Sequence, residues 1–137
     1  MRTAIVSDIH GNLTAFYAVL ADLRLTVPDL ILHGGDLADN GSSPVEIIDT
    51  IRSLGWPGVA GNTDEMLTTP PVFEAFATER PALDAIRAPA REMAAFTRDL
   101  LGEDRLAWLR GLPQTQVHGA MAVTASASFF TPFPSAT

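Results

Sequence analysis

The sequence has no lysine and no cysteine, and all nine of its basic residues are arginine. Each absence excludes a chemistry. Without lysine there is no Walker-type phosphate loop, no Schiff-base amine and no Ser-Lys nucleophile pair. Without cysteine there are no disulfides, zinc–thiolate sites or thiol nucleophiles, and the redox compartment is left open. Positive charge is scarce: 9 Lys+Arg against 16 Asp+Glu give a formal net charge of −7. That is the wrong sign for gripping a nucleic-acid backbone, so no stable nucleic-acid binding is expected. An anionic substrate would need a local cation, and a bound metal is the obvious source. No apolar run is long enough to span a bilayer and no signal-like segment precedes the first one. A cytoplasmic protein without a membrane partner is therefore expected. From Gly111 onward there is no Asp, Glu, Lys or Arg, an odd ending for a soluble domain.

What is present reads as one globular domain over 1–137: 47% of the 137 residues are apolar and 18% charged, enough to bury a core. Thr3-Ala4-Ile5-Val6, Leu30-Ile31-Leu32-His33 and Trp56-Pro57-Gly58-Val59-Ala60 are short apolar runs suited to buried strands. Between the first two, Leu13, Phe16, Tyr17, Leu20 and Leu23 repeat as one face of a helix, with Asn12 as N-cap and Val27-Pro28 as stop. Between the second and third, Ser43-Pro44-Val45-Glu46 predicts a helix start with a capping box and Pro at the first position. Ile47, Ile48, Ile51 and Leu54 supply its apolar face and Gly55 its end. The order βαβαβ with short connections predicts an α/β fold with parallel strands and right-handed crossovers.

Residues 65–110 change character and read as a helical insertion punctuated by Pro70-Pro71, Pro81 and Pro89. Short helices are expected around Phe73, Phe76 and Ala77, around Met93, Phe96 and Leu100, and around Leu106 and Leu109. Their acidic and Arg side chains read as a solvated face. Gln114 to Val117 and Met121 to Thr124 flank His118-Gly119 as a hairpin.

Each of the three early runs leads into a polar cluster: Asp8-Ile9-His10, Gly35-Asp36 with Asp39 downstream, and Gly61-Asn62-Thr63-Asp64. In open parallel sheets ligands bind beyond the carboxyl ends of the strands, where all three clusters fall. An Asp and a His two residues apart at a strand end should point the same way, one hard oxygen and one imidazole nitrogen for a metal. Asp39 and Asp64 read as loop or helix supports. His33 reads as a hydrogen-bonded core histidine, His118 as a surface turn residue, and Trp56 and Trp108 as core.

This series resembles the calcineurin-like metallophosphoesterases, over the N-terminal portion of that family's domain. The resemblance implies the parallel βαβαβ half of an αββα sandwich with an incomplete second sheet. It also implies a two-metal site for phosphoric ester hydrolysis, either phosphatase or phosphodiesterase. Asp8 and His10 would hold one metal, Asp36 would bridge both, and Asn62 would bind the second through its amide oxygen; Asp36 and Asn62 would thereby be catalytic. The mixed oxygen and nitrogen donors suit Mn, Fe or Zn as the divalent ion. The implied substrate is a phosphorylated small molecule or a phosphodiester; oligomeric state is left open.

The chain departs from the family at three places. Thr63 follows the Asn where a His is frequent. Thr124, in Val123-Thr124-Ala125-Ser126, stands where a later His is expected, and no closing Gly-His-x-His motif occurs. A truncated domain is therefore expected, and with it the alternative of a catalytically impaired fragment or non-catalytic remnant. An aspartyl-phosphate phosphatase is the rival hydrolase, but it needs an Asp at position 10 and a later Lys.

Overall fold

A computed structural model describes residues 1–124, the Phe76 side chain excepted. Its elements are β1 (Thr3–Val6), α1 (Leu13–Thr26), β2 (Leu30–His33), α2 (Pro44–Leu54), α3 (Asn62–Thr68), α4 (Pro70–Thr78) and α5 (Asp84–Arg110). A 3-10 turn at Pro81–Leu83 precedes α5, and β3 (Thr115–His118) and β4 (Met121–Thr124) follow it. Strands β1 and β2 pair in parallel, Thr3 opposite Leu30 through Val6 opposite His33, so the chain opens with the expected parallel βαβ unit. Ser126 and the uncharged tail lie outside the described residues.

The third expected strand is reduced to a single parallel bridge, His33 to Gly58. Pro57 has no N–H to donate, so it contributes only its carbonyl, to His33 N (3.0 Å), before Val59 N returns to His33 O (3.2 Å). The next amide, Ala60 N, is drawn away to Pro113 O (2.9 Å). The first strand is also less enclosed than expected: Val6 is buried, but Ile5 is 54% exposed.

Helix α1 begins as its sequence predicts, with Asn12 Oδ1 accepting from Ala15 N (3.1 Å). Phe16 is its buried anchor, edge-on to Trp56 with ring centroids 5.9 Å apart, whereas Tyr17 is exposed. Helix α2 keeps Pro44 at its first position and Gly55 in left-handed conformation at its end, but Ser43 makes no side-chain cap. The box is pre-empted because Ser43 N already donates to Gly11 O (3.1 Å), leaving no free cap N–H for Glu46. Ile47, Ile48 and Ile51 are fully buried against Leu37, Leu67, Leu101 and Leu109. Trp56 and Trp108 lie at the margin of this cluster, half-buried.

Over residues 62–110 the helices are longer than their prolines suggest. Pro70 and Pro71 start α4, where a missing N–H costs nothing, and Pro89 is absorbed within α5. Gly102 (φ 68, ψ 166) divides α5 into two helices at a kink. The buried face of α5 is not the one expected. Met93, Phe96 and Leu100 are exposed, while Ala94, Thr97 and Leu101 face inward. The smaller row lets α5 approach α3 closely, and Thr97 Oγ1 reaches Asp39 Oδ1 (3.3 Å). A bidentate pair of Arg105 with Asp49 (2.8 and 2.7 Å) and a contact of Arg52 with Asp104 (2.7 Å) tie α5 to α2. Such exposed pairs orient helices more than they stabilise them.

Strands β3 and β4 form the expected antiparallel hairpin, with Gly119 (φ 62) in its turn. His118 closes β3 opposite Met121, instead of occupying the turn, and its Nε2 lies 3.1 Å from Gln116 Oε1.

Candidate metal centre

The loops that follow β1 and β2 are zipped together by their backbones. Gly34 N donates to Val6 O (2.9 Å), Asp8 N to Gly35 O (3.1 Å), His10 N to Asp36 O (2.9 Å) and Gly11 N to Leu37 O (2.9 Å). This ladder brings the first two polar clusters side by side. One ligand atom from each of Asp8, His10 and Asp36 lies within 4.8 Å of the others, the separation a shared cation requires.

Asp8 and His10 converge by a different route from the strand pleat expected of them. Strand β1 has ended at Val6, and Asp8 (φ 58), His10 (φ 47) and Asp36 (φ 54) all adopt left-handed backbone. For non-glycine residues that conformation costs about 1–3 kcal/mol each and persists only where surrounding bonds impose it. Here the inter-loop ladder imposes it. Asp8 Oδ1 lies 3.7 Å from His10 Nε2, and Ser7 Oγ donates to the other oxygen, Asp8 Oδ2 (2.6 Å).

His10 is fixed by its far side. Its Nδ1 is 3.1 Å from the carbonyl of Asp39, which can only accept, so Nδ1 carries a proton and Nε2 is the ring nitrogen turned toward Asp8. Asp39 thus supports the site through its backbone, while its buried carboxylate takes the Thr97 hydroxyl. Burial raises the Asp39 pKa, opposed by the Asn40 N–H and the Thr97 hydroxyl.

Asp36 is held from α3. Thr63 donates to Asp36 Oδ1 twice, from its backbone N (2.9 Å) and from its Oγ1 (2.7 Å). Asn62 is the first residue of α3, and with its amide nitrogen turned to Asp36 it donates to Oδ2 (3.2 Å) while its oxygen accepts from Thr63 N (3.1 Å). A half-turn of the amide presents the oxygen instead, the donor a cation would use.

Asp64 is the clamp. It is 1% exposed and its carboxylate accepts from Asp36 N (2.8 Å), Leu37 N (3.0 Å) and Gly61 N (2.9 Å), joining the β2 loop to the start of α3. Burial pushes its carboxyl up to about 6, against the N–H groups of Gly61 and Leu37. Gly35 (φ 85) lies where a methyl group would overlap the Gly61 backbone, so the two loops touch without side chains between them. We expect Gly35→Ala to lower stability by about 3 kcal/mol or more, read by urea denaturation.

Asp8, His10, Asp36 and Asn62 line one cavity of about 500 Å³, together with Ser7, Thr63 and Thr124. Sequence reading missed the parts played by Ser7 and Thr63. Asp64, three residues after Gly61, carried a legible signal of its own as the third helical residue capping the backbone before it.

His33 departs from expectation. It is fully buried against Trp108, with ring centroids 6.2 Å apart, yet neither ring nitrogen has a hydrogen-bond partner among the described residues. Burial lowers its pKa to about 4.

The donor set suits a hard or borderline divalent ion: two carboxylates, an imidazole with its outer nitrogen satisfied, and an amide within reach. Comparisons with known proteins agree. The chain is 31% identical to a metallophosphoesterase from Sphaerobacter thermophilus of known crystal structure, with a TM-score of 0.67 over 89% of this chain and 45% of that one. It is also 41% identical over 61 residues to the uncharacterized protein MJ0912 of Methanocaldococcus jannaschii, covering 44% of this chain and 25% of that protein. It therefore spans less than half the length of either. The model of the calcineurin-like phosphoesterases matches residues 1–118, and the chain belongs to that family.

Proposed function

We propose that this chain carries the metal-binding half of a phosphoester hydrolase, acting on a phosphomonoester or phosphodiester. The observation that carries the reading is the convergence of Asp8, His10 and Asp36 within 4.8 Å, with His10 Nε2 left free by its Nδ1 bond to Asp39. A divalent ion bound there supplies positive charge for the phosphoryl oxygens and acidifies a bound water. Asp8 and His10 would hold it from the β1 loop, and Asp36, fastened by Thr63 and Asn62, would serve both this ion and a second one. Ser7 keeps one Asp8 oxygen occupied, which orients the other toward His10. The 65–110 segment, read as an insertion, supports the site through Thr97.

One observation favours a second reading, an impaired or non-catalytic remnant. Among the described residues a second ion would have only Asp36 and Asn62, and Thr63 and Thr124 supply hydroxyls at the places where histidines were expected. The two readings separate in one assay. Purified protein with Mn²⁺ is tested against an aryl phosphate and an aryl phosphodiester, beside Asp8→Asn. Metal-dependent turnover that vanishes in the variant establishes the hydrolase; Mn²⁺ binding without turnover establishes the remnant. No Mn²⁺ binding at all overturns both.

A further inference from the structure

Helix α5 carries two apolar rows, and the core uses one of them. Ala94, Thr97 and Leu101 face inward, whereas Ile86, Pro89, Met93, Phe96 and Leu100 are all exposed. The exposed row advances by steps of three, four, three and four residues, the a and d spacing of a heptad by which one helix packs along another. It runs over four turns, about 21 Å of helix. Ile86 is 57% exposed, Met93 47%, Phe96 61% and Leu100 42%, so the row forms a continuous patch and not a scatter of single apolar side chains.

The flanks of this row differ in charge and in access. Glu92 and Asp99 stand immediately before Met93 and Leu100, at the g positions of the heptad. Both are exposed, and neither makes a hydrogen bond or ion pair among the described residues. The e positions are Ala90, which is half-buried, and Thr97, which is buried, so the protein itself closes that side. The arginines of this stretch project elsewhere: Arg87 pairs with Asp84 (2.7 Å), and Arg91 forms a bidentate pair with Glu74 of α4 (2.8 Å for each bond). The open flank of the row is therefore acidic.

We propose that this seam docks an amphipathic helix of a partner protein, apolar at a and d spacing and carrying Lys or Arg on its flanks. Charge selects that occupant. An antiparallel second copy would set Glu92 and Asp99 against the same acidic pair, and an anionic membrane surface would meet the same repulsion. The sequence beyond Thr124 holds no charged residue, so it lacks the basic flank. A net charge of −7 adds long-range attraction for a basic partner and repulsion between copies. Docking here requires no metal.

The probes are two synthetic three-heptad peptides with Leu at a and d, one carrying Lys at e and g and the other Glu. Like charges keep each from pairing with itself. Fluorescence anisotropy of labelled peptide, titrated with the whole protein at low salt, should show the Lys peptide binding about tenfold tighter than the Glu peptide. Salt at about 0.5 M should remove most of that difference. In a variant combining Glu92→Lys with Asp99→Lys the order of the two peptides should reverse. Phe96→Ser should weaken the Lys peptide about tenfold and leave the urea melt unchanged, because the ring is exposed in the parent. Equal binding of both peptides by the parent, or an order that survives the charge reversal, overturns the basic partner. Failure of both peptides to bind overturns the seam as a docking surface. Dimers in sedimentation equilibrium that dissociate in Phe96→Ser would assign the seam to a second copy and overturn the proposal as well.

Discussion

Asp36→Asn is expected to weaken Mn²⁺ binding by about 100-fold or more while leaving the fold in place. Altering a residue that merely supports a metal ligand typically costs about 10–100-fold, and Asp36 is itself a member of the converging group. The substitution removes one of the two negative charges there and retains shape. It also spares most of the local scaffold. An Asn oxygen can still accept from Thr63 N and Oγ1, and the three backbone bonds to Asp64 do not involve the Asp36 side chain. Calorimetric titration with Mn²⁺ and a urea melt, run on the same preparation, separate the two effects. Unchanged affinity would remove Asp36 from the site; a collapsed melt would show that its role is structural.

The second large effect is a dependence of stability on pH, traceable to His33. In the unfolded chain this imidazole titrates near its ordinary value of 6.5, whereas in the fold burial lowers it to about 4. The unfolded state therefore takes up the proton first as pH falls. Stability contributed by neutral His33 is complete above about pH 6.5 and is lost progressively down to pH 4, by about 3 kcal/mol. His33→Phe retains a ring beside Trp108 and removes two nitrogens without partners, so it should stabilise by about 1–2 kcal/mol at neutral pH. It should also flatten the difference between urea melts at pH 4.5 and pH 7. Comparing variant with parent cancels the other titrating groups, Asp64 among them. A parent and variant with the same pH slope would show that His33 finds a partner in solution.

The overlap that fixes Gly58 has the same origin. A methyl at residue 58 would strike the His33 ring, so the bridge that replaces the third strand depends on glycine there. The sequence displays an apolar run at 56–60 but not this contact, which is why a full strand was expected where one bridge forms.

Local rules carried much of the fold. The Asn12 cap, Pro44 and Gly55 at the two ends of α2 and the 115–124 hairpin each follow from residues within a few positions of one another, and the parallel pairing of the first two strands follows from the strand–helix–strand order that those residues set. Those rules failed where a distant group intervened. Gly11 took the amide that a Ser43 capping box required, and Pro113 took the Ala60 amide from the third strand. Along α5, close approach to α3 selected the Ala94–Thr97–Leu101 row over the larger Met93–Phe96–Leu100 row.

The sequence by itself determined the types and order of the candidate ligands, Asp8 and His10, then Asp36, then Asn62, along with the βαβ frame that collects them at one end. It did so because ligand chemistry depends on side-chain identity and the frame on short-range periodicity. Only the tertiary structure decided how those side chains meet. Left-handed backbone at Asp8, His10 and Asp36 is costly locally and is held by a ladder between loops about 28 residues apart in sequence. The buried Asp64 clamp, the Thr63 bonds to Asp36 and the carbonyl that sets the His10 tautomer are likewise contacts across the sequence. Their energies exist only once the loops have been brought together, so no reading of neighbouring residues could have found them.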